Sequence, residues 1–194
     1  RGLAPIPLGE RFVVLPHEGL EAPPGREPIR LIPGMAFGTG EHPTTRLCAA
    51  ALEALVAPGS RWLDLGCGTG ILAIVAVRLG AGQVVGLDLD PQAAQVADEV
   101  VRANGLADRI EIGAGSIERA QGPFDGIVAN IQASFFLAEA EGVAALLARG
   151  GVVAISGILV EDLGEVEPAL RRAGVETIGR HSDGPWACLV GRKG

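Results

Sequence analysis

Apolar and polar positions fall in blocks along this chain, and the blocks change period. Residues 44–56 place Leu47, Ala51 and Leu55 at helical spacing, with Ala50 and Leu52 between them, and Pro58-Gly59 ends the run. Residues 61–65 predict a short strand that runs into glycines. Residues 71–79 predict an apolar helix stopped by Gly80, and 83–89 a second strand. Pro91 suits the first turn of a helix with Asp90 as its cap, and Asn104-Gly105 stops that helix after Ala103. Strands follow at 109–112 and 124–131, a helix at 133–148, a strand at 152–158 and a helix at 160–173. Two closing strands, 175–178 and 187–190, are joined by His181-Ser182-Asp183-Gly184-Pro185.

Runs such as Val84-Val85-Gly86-Leu87 and Val152-Val153-Ala154-Ile155 are apolar on both faces, as parallel strands covered by helices on both sides require. The last two strands lack a helix between them and predict an antiparallel pair. The expected fold is α/β, a doubly wound, mostly parallel seven-stranded sheet with an antiparallel closing strand pair. Residues 1–33 differ, holding Pro5, Pro7, Pro16, Pro23, Pro24, Pro28 and Pro33. Runs at 11–15 and 29–32 around Pro23-Pro24-Gly25 predict a loose antiparallel pair, a linker or appendage on a main body of residues 34–194.

Composition narrows the function. With 48% hydrophobic and 20% charged residues in 194, the chain can bury a core. Sixteen basic against 23 acidic residues give a net charge of -7, which does not suit a sequence-blind nucleic-acid binder. Cys48, Cys67 and Cys188 have no zinc-site spacing, so no metal is expected and a reduced, cytoplasmic setting is. The longest apolar runs are far shorter than the roughly 20 residues that span a bilayer, so no membrane is expected. The chain starts at Arg1 with no signal-peptide pattern, and reads as a piece of something longer.

The strongest constellation is Asp64-Leu65-Gly66-Cys67-Gly68-Thr69-Gly70 at a strand-to-helix turn. Glycines there let the backbone turn sharply and let a ligand approach closely. Asp88 ends the next strand, at the distance where nucleotide-binding sheets place a carboxylate for the ribose hydroxyls. Asp90 is a rival, although its place before Pro91 fits a helix cap better. A dinucleotide fingerprint would need its third glycine at position 71, which is Ile71. Cys67 has no evident base partner and reads as a small packing residue.

Two more stretches stand out. Pro33 to Thr45 is too glycine-rich for a strand and too apolar for an idle loop. It reads either as a connection with Thr44 capping a helix, or as a lid with Phe37 as apolar cover and Thr45 as polar contact. Val128-Ala129-Asn130-Ile131 places an amide at a strand end, as a cap or turn residue or as a group over the site.

The acid-x-Gly-x-Gly-x-Gly turn resembles that of S-adenosylmethionine-dependent methyltransferases. Together, Pro33 to Thr45, Asp64 to Ile74, Leu87 to Ala93 and Val128 to Ile131 resemble the bacterial methyltransferases that modify the eleventh protein of the large ribosomal subunit. The order, the spacing and the Gly-Arg-Lys ending at 191–193 fit as well. The resemblance implies a class I, Rossmann-like catalytic domain, S-adenosylmethionine as cofactor, and lysine or N-terminal amines of that ribosomal protein as substrate. It implies cofactor contacts at Thr45, Gly66, Asp88 and Asn130, with Phe37, Gly68 and Asp64 in the same pocket. His42 and Asn130 become the catalytic candidates, with no unmistakable general base. Glu41 and Gln132 depart from the family pattern on the substrate side. The family's small substrate-recognition domain has no room here, so residues 1–33 read as its remnant or linker.

Overall fold

The computed structural model describes residues 4–32 and 40–194. Strand β4 (Arg61–Leu65) begins the central sheet. It is followed by α2 (Ile71–Arg78), β5 (Gln83–Asp88), α3 (Pro91–Ala103), β6 (Ile110–Ala114), β7 (Phe124–Asn130) and α4 (Ala133–Leu146). The chain closes with β8 (Leu147–Leu159), α5 (Leu163–Arg172), β9 (Val175–Asp183) and β10 (Trp186–Lys193). Helix α1 (Pro43–Leu55) precedes β4. The sheet has seven strands in the order β6-β5-β4-β7-β8-β10-β9. Strands β4 to β8 pair in parallel; β10 runs antiparallel to both β8 and β9. The closing strands are therefore a hairpin whose second strand slots inward, leaving β9 at the edge. Both are longer than expected, because the exposed half of β9 is polar and hides its alternation from a hydrophobicity reading.

One face packs α1, α2 and α3 through residues such as Leu52, Ile74 and Val100; the other packs α4 and α5 through Phe136, Val143 and Val166. From Ile71 to Val77 every α2 side chain is buried, which explains a helix with no polar stripe. In β4, Trp62 is fully buried and its indole N–H donates to Ser60 Oγ at 2.9 Å. Its ring packs against Gly126 of the neighbouring β7, where an added Cβ would come within 2.3 Å of the ring carbons.

Residues 4–32 form a three-stranded sheet, β1 (Ile6–Leu8), β2 (Phe12–Leu15) and β3 (Glu27–Arg30). The expected antiparallel pairing of the two longer runs is incorrect: β2 and β3 are parallel, with Val14 beside Ile29, and β1 supplies the antiparallel neighbour. Arg26 decides this. Its guanidinium donates to Gly9 O (3.0 Å) and Phe12 O (2.8 Å), which carries the chain back to the start of β2 before β3 begins. Leu8, Phe12, Val14 and Ile29 then join the core beneath α1 and α2. The Glu53 carboxylate of α1 accepts the Glu10 and Arg11 amides (2.9–3.1 Å), and Asn104 at the end of α3 exchanges two bonds with the Arg30 backbone (2.8 and 3.1 Å).

Candidate active site

The carboxyl ends of β4, β5 and β7 meet at one edge of the sheet, where open parallel sheets bind ligands. Gly66, Gly68 and Gly70 all have positive φ (69°, 54° and 76°), so the alternating glycines of the turn answer a backbone requirement at every second residue. The turn is stitched to β5: the Gly66 and Cys67 amides donate to Leu87 O at 2.7 and 3.0 Å. Asp88 completes the stitching. Its Oδ2 accepts the Gly68 amide at 2.8 Å and its Oδ1 the Asp90 amide at 3.0 Å. Each oxygen keeps a second lone pair for a ligand hydroxyl. Asp90 caps α3, its Oδ1 accepting the Gln92 amide at 2.9 Å, as its position before Pro91 predicts.

Asp64 lies beneath the turn and is 1% exposed. Helix α2 starts at Gly70, which has no side chain to cap with. Asp64 does this from the strand below: its Oδ2 accepts the Ala73 amide at 3.0 Å. Its Oδ1 has no hydrogen-bond partner among the described residues. Burial pushes the Asp64 carboxyl up to about 7, with the nearby Asp88 charge adding to the rise and the Ala73 bond opposing it. The Cys67 thiol is also raised, first by burial and then by the two carboxylates, so it is an inert packing residue rather than a nucleophile.

A cleft of about 200 Å³ opens above the turn, lined by Thr45, Gly66, Cys67, Gly68, Thr69, Ile71, Leu72 and Asn130. A larger groove of about 470 Å³ lies between α1 and the β9–β10 hairpin, with an apolar lining that includes Leu47, Ala51, Leu55, Ile178 and Val190. It lies away from the strand ends that carry the glycine turn and the acids, so the smaller cleft is the candidate site. Asn130 Nδ2 donates to Thr45 Oγ1 across it at 3.3 Å. Asn130 is not a cap: α4 begins after Gln132 without a side-chain bond.

His42 sits outside the cleft lining. It, and not Thr44, caps α1: Nδ1 faces the Thr44 amide (3.4 Å) and the Thr44 hydroxyl (2.7 Å). The ring meets Trp186 edge-on at 4.8 Å. Arg46 fastens the same corner, donating to Glu41 O at 2.6 Å and pairing with Asp183 at 2.7 Å. Trp186 and Asp183 carry no local motif, and only the fold of β9 and β10 brings them to α1. Phe37 lies outside the described residues. Thr45, Gly66, Gly68 and Asn130 thus line one cleft, Asp88 braces it through Gly68, Asp64 underlies it, and His42 stands outside its lining as the α1 cap.

The family model described as ribosomal protein L11 methyltransferase (PrmA) matches residues 1–194. The chain belongs to the ribosomal protein L11 methyltransferase family. It is 46% identical over 189 residues to the ribosomal protein L11 methyltransferase of Geobacter sulfurreducens, and 43% identical over 190 residues to that of Pelotomaculum thermopropionicum. Each match covers 97% of this chain and 62% of the relative, so the chain spans less than two thirds of the curated methyltransferases it resembles. The crystal structure of the ribosomal protein L11 methylase from Lactobacillus delbrueckii subsp. bulgaricus superposes with a TM-score of 0.86 at 29% identity, covering all of both chains. A methyltransferase from Pyrococcus furiosus, 20% identical over 74% of this chain and 79% of its own, shares the fold at a TM-score of 0.65. Among the described residues no helix is long and apolar enough to cross a membrane.

Proposed function

We propose that this chain is the catalytic part of an S-adenosylmethionine-dependent protein N-methyltransferase acting in the cytoplasm on lysine, and on N-terminal amines, of ribosomal protein L11. The observation that carries this reading is the cleft bounded by the glycine turn at one end and the Thr45–Asn130 bond at the other. The residues fit the cofactor. Asp88 offers acceptor lone pairs for a ribose, Gly66 and Gly68 give close backbone approach, and Ile71 and Leu72 give apolar surface. When bound, the cofactor supplies a methyl group on a sulfonium, already provided with a good leaving group.

The residues here have to align and desolvate rather than activate. Asn130 has its amide nitrogen tied to Thr45, which leaves Oδ1 as the end free to accept an N–H of the incoming amine. An acceptor there turns the nitrogen lone pair toward the transferring carbon. A lysine ammonium, with an ordinary pKa near ~10.4, has to lose its proton to solvent first, and desolvation beside the positive charge of a bound cofactor's sulfonium would lower that pKa. His42 uses Nδ1 as a helix cap, so its role is to hold the first turn of α1, and Thr45 with it, in place.

Residues 1–33 are read as the link to a substrate-recognition domain. The share of the relatives that this chain covers supports a second reading, a piece that binds the cofactor but methylates L11 poorly by itself. Calorimetry with S-adenosylmethionine and with NAD tests the cofactor class, and tighter NAD binding would overturn it. Methyl transfer to purified L11, with the longer natural protein alongside, separates the enzyme from the binding piece.

A further inference from the structure

Strand β8 is interrupted beside the cleft. Ala187 of β10 pairs with Ile158 and Leu189 with Ile155, so Ser156 and Gly157 together oppose Cys188 and form a bulge. Gly157 takes the left-handed conformation (φ 78°) that glycine adopts without strain. The bulge is anchored on the β10 side, where the fully buried Ser156 hydroxyl donates to Ala187 O at 2.7 Å. On the β7 side Ser156 is the register partner of Asn130, at the end of the parallel pairing.

The chain leaving β7 rests on this bulge. The Ile131 amide donates to Ser156 O at 3.0 Å, and a Cβ at Gly157 would stand 2.7 Å from Ile131 O and 2.9 Å from its C and N. These are backbone atoms, which cannot turn aside as the end of a side chain can. The Ile131 side chain packs on the glycine turn, where a Cβ at Gly66 would stand 2.8 Å from its Cγ1 and 2.9 Å from its Cδ1. Two glycines thus seat one residue, Gly157 against its backbone and Gly66 against its side chain. Its immediate neighbour is Asn130, whose amide meets Thr45 at 3.3 Å.

We propose that Gly157 and Ile131 are positioning residues for methyl transfer: the β8 bulge seats Ile131 against Gly66 and so holds the Asn130 amide at the cleft. This rests on the role given to Asn130 in the proposed transfer. Neither residue is part of the cleft lining, so both act through Asn130. A methyl at position 157 has to push the Ile131 backbone away by about 0.7 Å to regain ordinary contact at 3.4 Å. A displacement of about 1 Å can cost an aligned reaction about 100-fold.

The test pairs Gly157→Ala with Gly150→Ala. Both glycines lie in β8 with nearly the same φ (78° and 76°), but a Cβ at Gly150 would meet nothing within 4 Å. Backbone strain alone should therefore lower the melting temperature of both variants. In NMR of the chain, Gly157→Ala should shift the Asn130 side-chain amide signals and quicken exchange of the Ile131 amide, and Gly150→Ala should do neither. Methyl transfer to purified L11 is measured with this chain and with the longer natural protein. Gly157→Ala should lower kcat about tenfold or more and change the KM for S-adenosylmethionine by less than about threefold, while Gly150→Ala leaves both unchanged. Should Gly157→Ala fail to fold, Ile131→Ala removes the seated side chain without adding a clash, and should show the same split with kcat down about fivefold. Unshifted Asn130 signals, a kcat within about twofold of wild type in the folded variant, or an equal loss in Gly150→Ala would overturn the proposal. Full activity of Asn130→Ala would instead remove the reading of Asn130 on which it rests.

Discussion

Asn130 and Thr45 lie 85 positions apart in sequence, yet the Asn130 amide donates to the Thr45 hydroxyl at 3.3 Å. The bond joins the end of β7 to the first turn of α1 and occupies the nitrogen end of the amide. A direct test is Thr45→Val, which keeps the shape and removes the acceptor. Methyl transfer should fall about tenfold, the loss of one hydrogen bond of about 1 kcal/mol plus a freed amide. Cofactor affinity should change less than the transfer rate. Equal loss in both would place Thr45 on the cofactor alone.

Asp88 has two duties, and its variants should separate them. Asp88→Ala removes the charged acceptor for the ribose and the bonds to the Gly68 and Asp90 amides. We expect S-adenosylmethionine binding to weaken by about 1.5–3 kcal/mol in calorimetry, the range for bonds to a charged group. The melting temperature should drop as well. Asp88→Asn retains one acceptor oxygen and should lose less stability than affinity.

Gly126 faces the Trp62 ring across the β4–β7 pairing. Gly126→Ala forces a methyl into a fully buried indole that has no room to swing. The expected destabilisation is about 3 kcal/mol, at the upper end of overpacking effects, read from urea unfolding. Gly105→Ala, whose Cβ would meet nothing within 4 Å, should lose only about 1 kcal/mol through its positive φ. A reversed order would mean that the Trp62 ring can give way to the added methyl.

Asp64 also predicts the pH dependence of stability in the free chain. Its folded pKa, about 7, lies above the ordinary 3.8, so the folded state holds the proton more tightly than the unfolded state. Its contribution is therefore full at low pH and is lost as pH rises toward 7. Between about pH 5 and pH 8 this one group should remove about 2.5 kcal/mol of stability. Glu167 works in the opposite sense at lower pH, since its bond to Arg180 depresses its pKa. The comparison that isolates Asp64 is the slope of stability against pH in wild type and Asp64→Asn. Equal slopes would show that Asp64 is ionised in the free chain.

Glu53 tests how residues 4–32 are held. Glu53→Ala removes the acceptor for the Glu10 and Arg11 amides at the β1–β2 turn. Hydrogen exchange should quicken at those amides while β4 and β7 keep their protection, with a global loss of about 1 kcal/mol.

Much of this protein was legible in its sequence because the signals were local. The glycines at 66, 68 and 70 announced a tight turn, since each needs a left-handed backbone that other residues resist. Asp90-Pro91 announced a helix start, and runs apolar on both faces announced covered parallel strands. The parallel β2–β3 pair was missed because a guanidinium reaching back to Gly9 and Phe12 leaves no trace in hydrophobicity. The length of β9 was missed because an exposed edge strand need not alternate.

The sequence by itself determined the element order, the turn and the acids beside it, because backbone conformation and burial are written residue by residue. The tertiary structure alone decided that Asn130 meets Thr45, that His42 caps a helix against Trp186, and that Asp64 is buried beneath the turn with one oxygen on the Ala73 amide. Those relations depend on where distant strands end in space. The energy of a buried charge or a shared hydrogen bond is set by neighbours that the chain reaches only after it has folded.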